Sequence, residues 1–321
     1  MVVLVTASCS STGRPAEGAG PGATSPPATV ASVEVADSTP TGDLAFLGPL
    51  RKVPVDDIVV GYRQFGSGPP LVLIVGQDSS LSYWGPDLLR RLGDRFSVTA
   101  FDNRGVGATS DPATAPLTIG RMADDTAALI GALGLDRPTV FGWSTGGEIA
   151  LALAVRHPGV SGPLMVSGAT PGGPDSTPAP PELDVLLAST ELADQIKLLD
   201  ELFTPSGAAA RDAYVQGLLS MPADPVSPQI QARQAEAEAA FAKDTNVADA
   251  LGSITTPVLV TDGAADRLVP PANASLIAGR IPGAQLVLVP DTSHAWMLQD
   301  PDRFLALLVA FSAGQPLPPA G

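Results

Sequence analysis

Hydrophobic positions along the chain follow two different periods. Short apolar runs alternate with longer segments in which apolar residues recur at helical spacing. The predicted strands are 57–66, 69–76, 96–102, 138–143, 162–169, 256–263 and 284–290. The predicted helices are 83–95, 119–135, 147–157, 271–281 and 301–314. Because strands and helices alternate, the pattern predicts an α/β fold with a mainly parallel sheet and helices on both faces, preceded by one antiparallel strand.

One long segment interrupts this alternation. Residues 171–250 separate two predicted strands, begin with a proline- and glycine-rich stretch, and show helical spacing at 190–203 and 229–243. A segment of this length is too long for a simple crossover between strands. It predicts an inserted helical lid that divides the core into residues 46–170 and 251–315. A lid at this point would cover the carboxyl ends of the strands, where open α/β sheets bind ligands.

The N-terminal part of the chain differs in composition from the rest. Residues 10–45 are rich in Ser, Thr, Gly, Pro and Ala and have too little large apolar surface to offset the entropy of ordering, so a disordered linker is predicted, with folding from near Phe46. Residues 1–9 resemble the end of a bacterial lipoprotein signal, with an apolar stretch and small residues before Cys9. Lipidation of Cys9 would attach the protein to a membrane, which favours a lipid-anchored, cell-surface or secreted protein. The alternative is a frayed N-terminus with an incidental cysteine on a cytoplasmic protein.

Charge and rare residue types narrow the function classes. The chain has 321 residues, of which 33 are acidic and 18 basic, and its formal net charge is −15 at pH 7. Such a surface repels nucleic-acid phosphates, so no nucleic-acid partner is expected. The single cysteine, Cys9, excludes an internal disulfide and a cysteine-based zinc site. The only histidines are His157 and His294, too few for a histidine cluster. We therefore expect neither a metal nor an organic cofactor.

A serine at a tight bend is the strongest chemical signal. Gly142-Trp143-Ser144-Thr145-Gly146 fits the pattern G-x-S-x-G at the point where a predicted strand meets a predicted helix. Small neighbours permit a sharp turn that exposes the serine hydroxyl, and the free N–H groups at the helix start face developing negative charge. Ser144 is therefore predicted to be a nucleophile, and a glycine-rich turn with an ordinary serine is the alternative.

A serine nucleophile needs a base. His157 ends the helix that begins at Ser144, about 18 Å away at 1.5 Å per residue, and it is predicted to cap that helix. His294 follows the last predicted strand, on a loop at the edge of the sheet where Ser144 also lies. By elimination and by position, His294 is the predicted base.

The base in turn needs a carboxylate that fixes its tautomer and stabilises its cation. Asp262 lies at the end of a predicted strand, and Asp291 lies close to His294 in sequence; both are interpreted as turn or capping residues. Asp266 lies further along the loop that follows Asp262, where it can reach a neighbouring loop. Its position favours Asp266 as the acid, with the other two as alternatives.

Two backbone donors are expected to stabilise an oxyanion. One is the N–H of Thr145, next to the nucleophile, and the other is the N–H of Gln77, on the loop that follows the strand at 69–76. Apolar side chains near these segments and in the lid are candidates for a substrate pocket, with ordinary core or lid packing as the alternative for each. These candidates are Trp84, Trp143, Phe203, Met221 and Trp296.

Together these residues resemble the α/β-hydrolase superfamily over about residues 50–314. The segment FDNRGVGATSDP at 101–112 is similar to a D-x-R-G-x-G-x-S segment of that family, and residues 262–304 resemble its acid and base segment. The resemblance places the acid at Asp266 and the base at His294, in the family's chain order of Ser, Asp and His. The branch it suggests is that of lidded bacterial esterases and enol-lactonases.

Two positions depart from the family pattern. Thr109 stands where the family has serine, and Val75-Gly76 stands where many members have His-Gly before the oxyanion loop. The residues that the resemblance places in turn-bracing roles, Asp102 and Arg104, are present.

The resemblance implies hydrolysis of a carboxylic ester or similar small-molecule acyl substrate through an acyl-enzyme on Ser144. The same triad also serves C–C bond hydrolysis, peptidase and perhydrolase chemistry, because one fold hosts many reactions. A non-catalytic, ligand-binding surface lipoprotein is the remaining alternative, and the presence of all three triad residues disfavours it.

Overall fold

A computed structural model describes residues 34–35, 39–189, 191–222 and 224–319. Across these residues one nine-stranded sheet runs in the order β1-β2-β3-β5-β4-β6-β7-β8-β9. The strands are β1 (Glu34–Val35), β2 (Arg51–Val55), β3 (Ile58–Phe65), β4 (Pro70–Ile74), β5 (Ser97–Phe101), β6 (Thr139–Trp143), β7 (Leu164–Ser167), β8 (Val258–Gly263) and β9 (Gln285–Val289). Strands β4 to β9 are parallel, whereas β1, β2 and β3 pair antiparallel, and β3 joins β5. The predicted α/β fold with a mainly parallel sheet is confirmed.

Helices cover both faces of the sheet. They are α1 (Pro86–Gly93), α2 (Ile119–Ala132), α3 (Thr145–Arg156), α9 (Ala272–Arg280), α10 (Trp296–Gln299) and α11 (Pro301–Ser312). One apolar cluster joins α2, α3 and α9 to the sheet, and a second joins α1, α10 and α11 to the opposite face. Successive residues of β4 alternate between the two clusters, as a strand buried on both faces requires. This arrangement explains why the central strands read as continuous apolar runs.

Part of the predicted linker has secondary structure. Glu34 and Val35 pair with β2, and a 3-10 helix spans Gly42–Leu47. Leu47 is completely buried, because it packs in the same apolar cluster as the leucines of α1. The predicted linker boundary at residue 45 is therefore wrong at its C-terminal end. Cys9 and the lipoprotein-like segment lie outside the described residues, and lipid anchoring remains a prediction.

The segment 171–250 forms a helical insertion between β7 and β8. Its helices are α4 (Pro181–Ala188), α5 (Leu192–Glu201), α6 (Ala208–Ser220), α7 (Pro228–Phe241) and α8 (Asn246–Ala250). Helix α7 buries Ile230, Gln234, Ala237 and Phe241, which recur at helical spacing and mark the face that lies on the core. Helices α4 to α6 leave several large apolar side chains exposed. Nowhere in the described part of the chain is a helix both long and apolar enough to cross a bilayer.

Candidate active site

Ser144 lies on a strained turn between β6 and α3. Its backbone angles are φ 59° and ψ −129°, a left-handed conformation that costs a residue with a side chain on the order of 1–3 kcal/mol. The turn is held in place because the N–H of Ser144 donates to the carbonyl of Ser167 at 2.9 Å, and the N–H of Gly147 donates to the carbonyl of Ser144 at 2.7 Å. This is the geometry of the predicted nucleophile elbow.

Glycine is required on both sides of this serine. A Cβ at Gly146 would overlap the carbonyl oxygen of Ile74, and a Cβ at Gly142 would overlap the carbonyl of Gly146. The backbone of α3 therefore approaches the ends of β4 and β6 more closely than any other residue type permits. This close approach is the physical reason for the spacing G-x-S-x-G.

The loop after β4 lies beside the serine. A Cβ added to Gly76 would lie 3.0 Å from Ser144 Cβ and 3.6 Å from Ser144 Oγ, so the absence of a side chain at Gly76 leaves space beside the serine. Among the described residues, no acceptor is found for the backbone N–H of Gln77, which follows Gly76, or for that of Thr145, which follows the serine. Two free N–H groups on segments that flank one hydroxyl are the arrangement an oxyanion needs.

His294 and Asp266 form a buried pair. His294 Nδ1 lies 2.6 Å from Asp266 Oδ2, and both residues are 4% exposed. The other carboxylate oxygen of Asp266 accepts the N–H groups of Leu268 and Val269 at 2.8 and 2.9 Å. The carboxylate is thus fixed on three sides, and it can fix the imidazole in turn.

The imidazole loop is tied to the elbow through Trp143. The indole N–H of Trp143 donates to the carbonyl of His294 at 2.9 Å, and the two rings lie 5.5 Å apart. A Cβ added to Gly168 would lie 2.7 Å from His294 Cε1, so this glycine provides the space the imidazole occupies. Among the described residues no hydrogen bond joins Ser144 Oγ to His294. Such contacts are often long in a protein without its substrate.

The alternative acids and the second histidine have other roles. Asp262 is completely buried within β8, where its Oδ1 accepts the N–H of Gly263 at 2.8 Å. Burial and the neighbouring carboxyl group of Asp266 raise the pKa of Asp262 to about 10, so Asp262 is neutral at pH 7. Asp291 is an exposed turn residue with φ 54°. His157 caps the far end of α3 and contacts Asp124 at 2.6 Å, as its position predicted.

Two of the five predicted pocket residues belong to the core. Trp84 and Trp296 are each 0% exposed. Trp84 packs on Phe141 and Trp143 at ring distances of 5.5 and 5.9 Å, and the indole N–H of Trp296 donates to Ser167 Oγ at 2.8 Å. Both tryptophans therefore serve core packing here, and their part in a substrate pocket stays a prediction.

The other three pocket candidates lie in the same apolar cluster but retain some exposure. Trp143 and Phe203 are 5% exposed and Met221 is 7% exposed. Phe203 packs on Tyr214 at 5.9 Å, within the insertion. Their role in binding an acyl group remains a prediction.

A buried ion network braces the loop after β5. Arg104 donates to both carboxylate oxygens of Asp125 at 2.8 and 2.6 Å, and to Asp57 at 2.8 Å. Hydrogen bonds from Arg104 and Arg121 lower the pKa of Asp57 to about 2. This network braces the turn after β5, the role that the resemblance implied for Arg104.

Asp102 braces the same loop from its other side. Its carboxylate accepts the N–H groups of Leu81 and Ala108 at 2.8 and 3.0 Å. Thr109 donates its hydroxyl to the carbonyl of Asp102 at 2.7 Å and accepts the N–H of Gly61. The threonine hydroxyl is thus fully used at the position where the family pattern has serine.

A second acidic cluster beside the elbow was not predicted. The hydroxyl of Thr145 donates to Glu238 of α7, and the hydroxyl of Thr170 donates to Glu148 of α3 at 2.6 Å. Burial raises the pKa of both glutamates. Glu148, a single acidic residue in the apolar sequence of α3, could have indicated a buried polar contact. Nothing in the sequence around Glu238 indicated that it would lie beside Thr145. Among the described residues no group of three potential ligands is placed to hold a metal ion.

Similar proteins align with this chain over nearly the whole of their own length. A protein of Caulobacter sp. strain K31 named "Putative carbamate hydrolase RutD" is 29% identical over 266 residues, which cover 79% of this chain and 96% of the relative. The structure of an alpha/beta hydrolase fold protein from Chitinophaga pinensis superposes with a TM-score of 0.72 at 25% identity, covering 82% of this chain and 96% of the other. The enol-lactonase from Burkholderia xenovorans LB400 gives a TM-score of 0.66 at 25% identity, covering 82% and 99%.

The match to a protein family spans most of the folded chain. Residues 71–307 match the alpha/beta hydrolase family. This range contains the strained serine, the buried histidine–aspartate pair and the helical insertion. The protein therefore belongs to the α/β-hydrolase family and is a hydrolase.

Proposed function

We propose that the protein hydrolyses carboxylic esters or closely related acyl compounds through an acyl-enzyme formed on Ser144. The observation that carries this proposal is the 2.6 Å contact between His294 and Asp266, on a loop that Trp143 ties to the serine turn. An imidazole oriented by a carboxylate, on a loop joined to a serine turn, supplies the three groups of the relay by which hydrolases of this kind activate a hydroxyl.

The hydrogen bonds of Asp266 determine which imidazole nitrogen acts as the base. Oδ1 of Asp266 is occupied by two backbone N–H donors, so Oδ2 is the oxygen left to accept a hydrogen from His294. Nδ1 of His294 therefore carries the hydrogen, and Nε2 keeps its lone pair. In the first step Nε2 takes the Ser144 proton as Oγ bonds to the acyl carbon, and the carbonyl oxygen becomes an oxyanion.

The free backbone donors stabilise that oxyanion. The N–H groups of Thr145 and Gln77 are the donors, and their location at a helix start and beside Gly76 suits negative charge. The tetrahedral intermediate then collapses: the alcohol leaves with the proton held by His294, and Ser144 retains the acyl group. In the second half His294 takes a proton from water, hydroxide adds to the acyl carbon, and the acid leaves as Ser144 regains its proton.

A carbamate is the second candidate substrate, favoured by the name of the similar Caulobacter protein. The carbonyl carbon of a carbamate accepts electrons from nitrogen and is less electrophilic than that of an ester. Attack of Ser144 Oγ on that carbon, with departure of the alcohol, would give a carbamoyl-enzyme that releases its product slowly. Carbon–carbon, peptide and peroxide chemistry use the same triad and differ in the leaving group or the second nucleophile.

An activity-based probe and a substrate panel test the proposal. A fluorophosphonate phosphonylates an activated serine, so it should label the wild-type protein and leave the S144A and H294Q variants unlabelled. The H157Q variant, which alters the helix cap, is the matched control and should label normally. Wild-type protein that is folded by circular dichroism but unlabelled would contradict an activated serine and favour the ligand-binding alternative.

The substrate panel separates the ester and carbamate candidates. p-Nitrophenyl esters should turn over continuously, whereas p-nitrophenyl carbamates should give a burst of p-nitrophenol followed by slow release if the carbamoyl-enzyme accumulates. Faster steady turnover of carbamates than of esters would reverse the order of the two candidates, and turnover of peptides alone would exclude both.

A further inference from the structure

Helix α7 of the insertion contacts both segments that carry the proposed oxyanion donors. Gln234 Oε1 accepts the N–H of Asp78, the residue after Gln77, at 2.6 Å. Glu238 accepts the hydroxyl proton of Thr145. Gln234 and Glu238 are four residues apart, so they lie on one face of the helix, one turn from each other. A single helix of the insertion thus joins the oxyanion loop to the elbow.

A second buried glutamate, Glu148, lies beside Glu238 in this contact, on the same helix as Thr145 and three residues further along. Glu148, in the first turn of α3, is 5% exposed, and its Oε1 accepts the hydroxyl of Thr170. Its Oε2 is buried and has no donor among the described residues. Burial and the nearby charge of Glu238 raise the pKa of Glu148, and a hydrogen bond between two carboxyl groups requires a proton on one of them. We call Glu148 and Glu238 the carboxyl latch.

The latch has no cation to balance it among the described residues. Arg233 of α7 pairs with Asp111 and the carbonyl of Ala115, and Lys243 beyond the end of α7 is exposed. On the segment after β7, the group that contacts the latch is the uncharged hydroxyl of Thr170.

The remaining titratable groups near the latch are acidic. Asp78 on the oxyanion loop feels the charge of Glu238, and burial together with that charge raises the pKa of Asp78 to about 6. Asp244, after α7, accepts the N–H of Asn246. Two ionised carboxylates in contact would therefore repel each other with only like charges nearby.

We propose that the carboxyl latch positions the insertion over the catalytic elbow through one shared proton, and that loss of this proton releases α7 from Thr145 and from the oxyanion loop. In this role Glu238 is a positioning residue, since it acts through Thr145 and does not touch the reacting atoms. The inference rests on the proposed function for its effect on turnover, while the movement of α7 follows from the latch itself.

The sign of the pH effect follows from the burial of the latch. Burial raises the pKa of Glu148 well above its usual value of 4.5, so the folded protein holds the proton more tightly than the unfolded chain does. The stabilising contact is therefore complete below pH 4.5 and is lost as the pH rises through the raised pKa. The insertion should close more firmly in mildly acidic solution than in alkaline solution.

The variant E238Q separates the charge of the latch from its contacts. A glutamine amide accepts the Thr145 hydroxyl with its oxygen and donates to an ionised Glu148 with its nitrogen, so the contacts persist at every pH. The variant E236Q is the matched control, because Glu236 is exposed on the same helix and loses the same charge. We expect kcat/KM of the wild type and of E236Q to fall by about tenfold on the alkaline side, and that of E238Q to stay level.

Hydrogen exchange tests the latch without turnover. In the S144A background, amide protection across 228–241, corrected for intrinsic exchange, should fall by about tenfold between about pH 6 and about pH 9. Adding E238Q should abolish that fall, and adding E236Q should preserve it. Equal pH dependence in E238Q and E236Q would overturn the latch. A fluorophosphonate that fails to label the wild type would overturn the proposed function instead, and the exchange result would still decide the latch.

Discussion

Asp266 Oδ2 and His294 Nδ1 lie 2.6 Å apart in the buried edge of the sheet, although 28 positions separate the two residues in the chain. The pair forms because β8 and β9 are adjacent and parallel, so the loops at their carboxyl ends meet. Asp262, only four residues before Asp266, lies within β8 and contacts no imidazole. The position of each aspartate relative to the strand end thus decides which one orients the base.

The variant D266N should lose most activity while retaining its fold. An amide at this position donates as well as accepts, so it no longer holds Nδ1–H and allows the other imidazole tautomer. We expect kcat/KM for a p-nitrophenyl ester to fall by about 10³–10⁴-fold, as expected when the acid of such a relay is replaced.

The matched control for D266N is D291N. Asp291 is exposed, three residues before His294, and its φ of 54° suits asparagine. D291N should stay within about twofold of the wild type. Comparable losses in D266N and D291N would contradict the assigned acid.

Replacing the strained serine by glycine should stabilise the protein. Ser144 has φ 59°, and glycine adopts this conformation without the cost that a Cβ imposes. Both S144A and S144G lack the nucleophile, so both should be inactive, but S144G should be more stable than S144A by about 1 kcal/mol. Urea unfolding with an unchanged slope measures the difference. Equal midpoints would show that the turn carries no strain.

The variant D262N should lose less stability than the wild type as the pH is raised. The pKa of Asp262 is raised from 3.8 to about 10 in the folded protein, so this carboxyl favours folding fully below pH 3.8, and its contribution is lost as the pH rises towards 10. Asparagine has the same shape and does not ionise. We expect D262N to gain stability over the wild type as the pH is raised, seen as a melting-temperature difference that is larger at about pH 8 than at about pH 5. Parallel curves for the two proteins would contradict a buried, neutral Asp262.

Much of the candidate site, at the carboxyl ends of the parallel strands, was predictable because the sequence patterns that indicate it are local. The turn at Ser144 is indicated by the spacing of glycines at a strand end. The loops after β8 and β9 were expected to meet because the carboxyl ends of parallel strands lie at the same edge of the sheet. The strands themselves were predictable since a sheet buried on both faces requires continuous apolar runs.

The contacts of the insertion were not predictable, because they depend on how a distant helix packs. The period of α7 shows that the face with Ile230, Ala237 and Phe241 is buried, but nothing in that pattern states what lies beneath it. Glu238 meets Thr145 across 93 positions, and only the assembled fold brings the two side chains together. The pairing of β2 was likewise missed, since its short run contains a proline and two basic residues and gains its pattern only beside β3.

The largest loss of stability should follow removal of Arg104. Its guanidinium is buried and donates to both oxygens of Asp125, a carboxylate that is 5% exposed. The variant R104M leaves that charge buried without a partner, and we expect the free energy of unfolding to fall by about 3–5 kcal/mol. Urea unfolding measures this loss, and a double variant R104M/D125N should recover much of it, because both charges of the pair are then absent.

The control for R104M is R91M on the surface. Arg91 pairs with Asp87 and Asp302, whose side chains are 71% and 85% exposed, so water replaces the arginine when it is lost. We expect R91M to cost less than about 1 kcal/mol. A loss in R104M as small as that in R91M, with no recovery in the double variant, would mean that water reaches Asp125 and that the network braces the loop only weakly. A large and recoverable loss would instead establish that the turn after β5 depends on one buried guanidinium.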